Sequence, residues 1–283
     1  MLSVNGKIDN AEEQHLSARD RGFMLGDGIF ETLLVVHQRA MWRNQHFSRM
    51  ERTAHHLGIP FHLVEICNAV DEVLARSTSR MHVLRVSLSR GVTARGLAAD
   101  AVLRTLVITC DLFDTATIGK PVTLLTSQLR RNPFSITDRF KTLSYGNAVH
   151  AAREAKSGGA DDALMLALDG SVACTSISNL FVLNGRTLTT PPADSGILKG
   201  VMRAEIMDKA PHHGYDVKEE RMAHGSLFEA DGVFVTNSLR LACPVVSVDD
   251  RPLRPFDCAG FLDMLTADIQ VQTGVEWNLI GER

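Results

Sequence analysis

The chain has 283 residues, 45% of them hydrophobic and 22% charged, the balance of a folded globular protein rather than a disordered one. At roughly 100 to 200 residues per domain this length suggests two modest domains or one large one. Thirty Lys+Arg against 33 Asp+Glu leave a formal net charge of -3, with no cationic excess for a nucleic-acid backbone, and no apolar run approaches the ~20 residues that span a bilayer.

The N-terminal MLSVNGKIDN lacks the basic start, apolar block and small-residue cleavage site of a signal peptide, which makes a cytoplasmic location the expectation. Cys67, Cys110, Cys174, Cys243 and Cys258 are odd in number, scattered and never spaced C-x-x-C. That argues against a disulfide framework or a thiolate zinc site and for reduced, mostly buried thiols.

In chain order, residues 2–8 predict a hairpin about Asn5-Gly6, and residues 29–36 a strand that reverses at His37-Gln38-Arg39. From His46 the period changes. Phe47, Met50, Ala54 and Leu57 recur at helical spacing until Gly58 and Pro60 stop them, and residues 63–74 supply a second amphipathic helix. Residues 81–88 and 103–112 read as strands and the polar stretch 114–121 as a linker, giving a small domain over 1–118 and a larger one over 119–283. The second part predicts a strand at 122–126, a helix over 143–155, strands at 163–168 and 180–183, a helix over 201–210, extended runs at 232–236 and 244–248, and a last helix over 256–272. Without regular βαβ alternation the fold class is α+β rather than a doubly wound sheet, and no repeat of solenoid length is present.

The common chemical motifs are absent. Gly26-Asp27-Gly28 lacks the third glycine of a dinucleotide fingerprint, no H-E-x-x-H places two imidazoles toward zinc, and no G-x-S-x-G elbow appears. Lysine is scarce, with seven residues in all, so each can be weighed separately. Lys141 lies in RNPFSITDRFKTLSYGNAV between apolar Phe140 and Leu143, just before the expected helix. From the local sequence it is either a solvated helix-start lysine or a desolvated amine, whose lowered pKa would suit attack on a carbonyl.

Several further segments occur in order along the chain: DRGFMLGDGIFET (20–32), HFSRMERTAHHLGI (46–59), SRGVTARG (89–96), RNPFSITDRFKTLSYGNAV (131–149), SNLF (178–181), TPPADSGILKGVMR (190–203) and TNSLRLACPV (236–245). Together with Lys141 they resemble the fold-type IV pyridoxal phosphate enzymes, the class IV aminotransferase family of branched-chain and D-amino acid aminotransferases and aminodeoxychorismate lyase. The resemblance implies a two-domain fold like that of the D-amino acid aminotransferases, with a small α/β N-terminal domain and a larger mixed domain with a barrel-like sheet. It also implies pyridoxal 5′-phosphate as cofactor, a small amino substrate carrying a carboxylate, and a homodimer.

Residue by residue, the resemblance makes Lys141 the catalytic lysine that holds the cofactor as a Schiff base. Arg49 matches the phosphate-binding arginine, a task suited to a forked guanidinium; without the resemblance it would read as an exposed helix arginine. Gly200, Val201 and Met202 match a helix start whose amides cradle the phosphate. Asn237 and Ser238 match a second phosphate contact. Tyr145, allowing one residue of slippage, matches a tyrosine bonded to the cofactor's phenolic oxygen, and is otherwise a packing residue.

One position departs from the pattern. Cys174 stands where the family places a glutamate against the pyridine nitrogen, and no acidic residue occurs from Gly170 through Ala193. A protonated thiol supplies no fixed negative charge, so a weaker electron sink is expected, unless a water or a serine such as Ser176 serves the nitrogen. On the substrate side, Phe30 stands where the D-amino acid enzymes have tyrosine and Leu97 where they have histidine. SRGVTARG and the RNP before Lys141 look more like aminodeoxychorismate lyase, whose substrate has two carboxylates; Arg95 and Arg131 are matched to them, with surface arginine as the alternative for each. The lyase reading is therefore first, an amino acid aminotransferase second, and a degenerate pyridoxal phosphate binder third.

Overall fold

The computed structural model describes residues 1–9 and 15–277. The chain divides into two compact units. Unit 1 holds Met1–Thr115, Phe140–Tyr145 and the chain from Ile269 onward; unit 2 holds Ala116–Arg139 and Gly146–Asp268. Sequence patterning points to a single break after residue 118; the chain leaves unit 1 after Thr115 and re-enters it twice.

Unit 1 contains β1 (Leu2–Val4), β2 (Lys7–Asp9), α1 (Arg21–Leu25), β3 (Gly28–Val36), β4 (Arg39–Ala40), α2 (Arg43–Leu57), α3 (Leu63–Leu74), β5 (Met81–Thr93) and β6 (Ala101–Leu112). Its strands form one antiparallel sheet in the order β2-β1-β6-β5-β3-β4. The helical spacing of Phe47, Met50 and Ala54 turns one side of α2 into the sheet, where these residues join Leu33, Val35, Leu84 and Val86 in a core completed by Ile66, Val70 and Val73 of α3. Each large apolar side chain withdrawn from water here is worth about 1.5–3 kcal/mol.

Unit 2 contains β7 (Val122–Arg131), α4 (Ile136–Arg139), α5 (Gly146–Ser157), β8 (Asp162–Ala167), β9 (Val172–Thr175), β10 (Asn179–Asn184), β11 (Thr187–Thr190), α6 (Val201–Lys209), β12 (Asp216–Glu219), β13 (Gly232–Asn237), β14 (Leu241–Val248) and β15 (Arg251–Pro252). The last helix, α7 (Ala259–Thr273), begins in unit 2 and ends among residues of unit 1. The sheet is mixed, in the order β12-β11-β10-β13-β14-β7-β8-β9, with β15 paired to β14. Strand β7 runs parallel to both β8 and β14. The small residues Ala151 and Ala155 let α5 lie close on Ala163 and Met165 of β8. A small antiparallel sheet with helices, and a larger mixed one, is the α+β arrangement the resemblance implies. Among the described residues, no helix is long and apolar enough to cross a membrane.

One expected element is corrected by the structure. The helix expected over 143–155 begins only at Gly146. Before it, the Phe30 N–H donates to the Lys141 carbonyl at 3.0 Å and the Leu143 N–H to the Gly28 carbonyl at 2.8 Å, so this segment pairs antiparallel with β3 about the Ile29–Thr142 bridge. Gly28 makes the approach possible, since a Cβ there would lie 2.5 Å from Leu143 Cδ1 and 2.7 Å from the Leu88 carbonyl oxygen. Tertiary pairing overrides the local helical pattern.

Candidate active site

Lys141 belongs to unit 1, and its backbone is fixed by the pairing with β3. Its Nζ lies 4.3 Å from the centre of the Phe30 ring and 5.3 Å from that of Tyr145, and the two rings meet edge to face at 5.1 Å. The side chain keeps some exposure, but its nitrogen is crowded by these rings. Burial, with Arg49 and Arg85 adding positive charge and Glu31 opposing them, pulls the amine down to about 7 from its usual 10.5.

Behind Lys141 lies a buried ionic cluster built by β3 and α2. Glu31 is 1% exposed and His46 0% in an otherwise apolar core, where a buried charge needs partners. Arg49 grips the Glu31 carboxylate along one edge, Nε to Oε1 at 2.8 Å and Nη2 to Oε2 at 2.5 Å. His46 Nδ1 lies 2.7 Å from Oε2. Burial works against the Glu31 charge, but Arg49 and His46 outweigh it and hold the carboxyl at about 2. An ionised carboxylate only accepts hydrogen bonds, so Nδ1 carries the imidazole hydrogen. Burial, together with the Arg49 and Lys141 cations, lowers the His46 pKa, and among the described residues its Nε2 has no hydrogen-bond partner.

Arg85 of β5 lies on Phe30, with its guanidinium carbon 3.7 Å from the ring centroid. Its Nε donates to Ser87 Oγ at 3.2 Å, and among the described residues it has no carboxylate in ion-pair contact. Burial lowers its pKa, yet a guanidinium stays charged.

The other residues expected at the site are distributed as follows. Arg95 is exposed, in the loop after β5 whose Gly96 and Leu97 carbonyls accept hydrogen bonds from Arg21. In unit 2, Arg131 is buried and fully engaged: Nε donates to the Gly196 carbonyl at 3.0 Å, Nη2 donates to the Asp138 carbonyl, and Nη1 lies 3.5 Å from Oδ1 of Asp138. Cys174 is buried on β9, and burial, reinforced by Asp162 and Asp138 and opposed by Arg131, pushes its thiol up. Gly200 caps α6, with Val201 and Met202 in its first turn; no side chain caps this end. A Cβ on Gly200 would collide with Asn179 Oδ1, so only glycine leaves this turn open. Asn237 accepts from the Leu239 and Arg240 amides and donates to Ser178 Oγ, holding the turn in which half-buried Ser238 lies.

Sequence reasoning did not find Glu31, His46, Arg85 or Asp162. A lone carboxylate in the apolar run 29–36 is itself the signal for Glu31, because a charge buried in a strand requires partners. Asp162 is 4% exposed at the start of β8, accepts a short hydrogen bond from Ser176 Oγ, and is pushed upward by burial. Ser176 is thereby tied to a carboxyl from outside the acid-free run.

A cofactor with an aldehyde and a phosphate needs an amine free of its proton and a cradle of unspent donors. Within unit 1, Lys141 is an amine of the first kind; within unit 2, the first turn of α6, nine residues long and without a side-chain cap, offers backbone donors of the second kind. The residues present therefore fit pyridoxal phosphate.

Comparison with known proteins agrees. The family described as Amino-transferase class IV matches residues 28–248. The aminodeoxychorismate lyase of Bacillus subtilis is 30% identical over 256 residues, 88% of this chain and 87% of that one. A putative branched-chain-amino-acid aminotransferase of Methanocaldococcus jannaschii is 28% identical over 254 residues, 88% of each chain. A hypothetical aminotransferase from Mycobacterium tuberculosis, solved in its pyridoxal-phosphate-bound form, superposes with a TM-score of 0.86 at 26% identity, covering 95% of this chain and 98% of that one. The chain belongs to the class IV aminotransferase family and is a pyridoxal-phosphate-dependent enzyme.

Proposed function

We propose that the protein is an aminodeoxychorismate lyase, which converts 4-amino-4-deoxychorismate to 4-aminobenzoate and pyruvate. The observation that carries this reading is Cys174, a buried thiol whose pKa is raised and which therefore stays neutral. A reaction that ends in an aromatic ring has its own driving force and leans less on a strong electron sink than amino transfer does. The resemblance to the lyase motifs and the 30% identity to the Bacillus subtilis lyase support it.

In this reading Lys141 binds the cofactor through Nζ, and Arg49, Asn237, Ser238 and the amides of Gly200, Val201 and Met202 hold its phosphate. Tyr145 orients the ring. The bound cofactor supplies an aldehyde and draws electrons from the bonds at the substrate's amine-bearing carbon. Lys141 Nζ would take the proton from that carbon and, as the substrate's ether C–O bond breaks, give a proton to the departing enolate, which becomes pyruvate. Phe30 excludes water beside the nitrogen. Arg85 takes a substrate carboxylate, and Arg95 is the second cation for a substrate with two. Arg131 keeps its fold-internal partners.

The protein acts as a homodimer; the exposed apolar run Phe23, Met24 and Leu25 on α1 supports a second copy as its cover. Five free thiols are in keeping with a cytoplasmic location.

Release of pyruvate from 4-amino-4-deoxychorismate without an added keto acid, lost in Lys141→Ala, is the expected result. Conversion of the cofactor to pyridoxamine phosphate by amino acids, without pyruvate release, would select the aminotransferase reading, and neither activity would leave a cofactor binder.

A further inference from the structure

The loop of residues 94–100, between β5 and β6, is exposed along most of its length and carries Arg95, whose guanidinium has no partner among the described residues. Its backbone is held by Arg21 of α1, which is 9% exposed. Nη1 of Arg21 donates to the Gly96 carbonyl and Nη2 to that of Leu97, both at 2.9 Å, while Nε donates to Asp27 Oδ2 at 2.7 Å. We propose that Arg21 is a positioning residue for Arg95: it fixes the loop so that Arg95 meets a substrate carboxylate, and it thereby sets the affinity for a substrate that has two. The substrate named rests on the lyase reading; the hold of Arg21 on the loop does not.

Arg21 is itself anchored to the sheet. Asp20, 3% exposed, accepts hydrogen bonds from the Gly22 amide at 2.7 Å, from the Ser89 hydroxyl of β5 at 2.8 Å and from the Thr105 hydroxyl of β6 at 2.6 Å. These bonds tie the start of α1, and with it the Arg21 backbone, to two strands. Asp27 Oδ2 also takes Arg90 Nε at 2.8 Å, and Arg90 donates onward to the Leu57 and Gly58 carbonyls at the end of α2. Burial works against the Asp27 charge, but Arg90 and Arg21 outweigh it and hold the carboxyl below its usual range, so it stays ionised between the two guanidinium groups.

Two successive carbonyls turn toward one group here, which calls for two donors in a plane. A guanidinium supplies them; an ammonium, a compact point charge, does not. Gly96 permits the turn: its φ of +131° strains any residue with a Cβ, although a Cβ there would meet nothing within 4 Å. A loop ordered in advance loses less freedom when Arg95 closes on an anion.

The test uses the holoenzyme, with kinetics of pyruvate release from 4-amino-4-deoxychorismate and, separately, limited trypsin digestion followed by mass spectrometry. Arg21→Met, which keeps length without donors, should raise KM about tenfold with kcat within about threefold of wild type, and Arg95→Gln should do the same. The double variant should have a KM no more than about twice that of Arg95→Gln alone, because the first residue acts through the second. In Arg21→Met, trypsin should cut Arg95–Gly96 about tenfold faster, measured against the cut after exposed Arg186 of unit 2. KM effects that multiply in the double variant, a fall in kcat with KM unmoved, or an unchanged cut rate overturns the proposal. Should Arg21→Met not fold, Gly96→Ala decides, since it strains the loop and leaves Arg21, Asp27 and Arg90 in place. Its KM should rise about threefold or more, and an unchanged KM overturns the proposal. If wild type releases no pyruvate the lyase reading fails, while the trypsin cut, which needs no substrate, still decides whether Arg21 positions Arg95.

Discussion

The guanidinium of Arg85 and the amine of Lys141 share one aromatic platform, lying 3.7 and 4.3 Å from the centre of the Phe30 ring. Two cations drawn to one ring normally repel. Their coexistence keeps Lys141 short of a proton and leaves Arg85 ready for an anion.

Arg85→Gln should raise KM for a carboxylate-bearing substrate roughly 10- to 100-fold, the value of a charge-assisted hydrogen bond of about 1.5–3 kcal/mol. Arg85→Lys should recover little, because an ammonium lacks the flat fork that stacks on Phe30. Steady-state kinetics with substrates bearing one or two carboxylates would show which carboxylate it serves.

Glu31 makes acid stability a local matter. Its folded value of about 2 lies below the ordinary 4.5, so its contribution is complete above pH 4.5 and is lost as pH falls through about 2. Calorimetry between pH 2 and 6 should show the melting temperature of wild type falling faster with acid than that of Glu31→Gln, which starts lower.

For Lys141 the sign is reversed. The amine sits at about 7 when folded against 10.5 otherwise, so keeping it where it is costs stability below pH 7, and that cost fades as pH rises toward 10.5. Lys141→Met should therefore stabilise the cofactor-free protein at pH 7 by roughly 1–3 kcal/mol, a figure reduced for the partial exposure of the side chain, and flatten the rise in stability between pH 7 and 10. Urea unfolding at several pH values would check both.

Arg131→Ala should destabilise the fold by about 3–5 kcal/mol, because it strands the buried Asp138 carboxylate without its cation. A variant that kept full stability and lost only substrate affinity would contradict the engagement of Arg131 with Gly196 and Asp138.

Much of this arrangement is legible in the amino-acid order. The spacing of Phe47, Met50 and Ala54 marks the buried face of α2, and Asn5-Gly6 marks the first hairpin, because both signals depend only on near neighbours in the chain. Lys141 stands out as one of few lysines in an apolar setting. The pairing of Lys141 and Leu143 with β3 is not legible, since it joins residues more than 100 positions apart, and a helical pattern beginning at Leu143 conceals it. Strand β12 is four residues long and takes its hydrogen bonds from a parallel partner well upstream, with Thr187 of β11 opposite Asp216. Arg85 escapes notice because an arginine within a strand looks like an outward-facing one until Phe30 is placed beneath it.

The bond between the Phe30 amide and the Lys141 carbonyl also orders events at the ribosome. When the first 115 residues have emerged, β3 is flanked by β5 but its amides at Phe30 and carbonyl at Gly28 still lack these partners. At roughly 5–20 residues per second the missing segment arrives a few seconds later. The segment of Lys141 is thus the late piece that seals the edge of the first sheet, and a nascent chain halted before residue 141 carries an open strand.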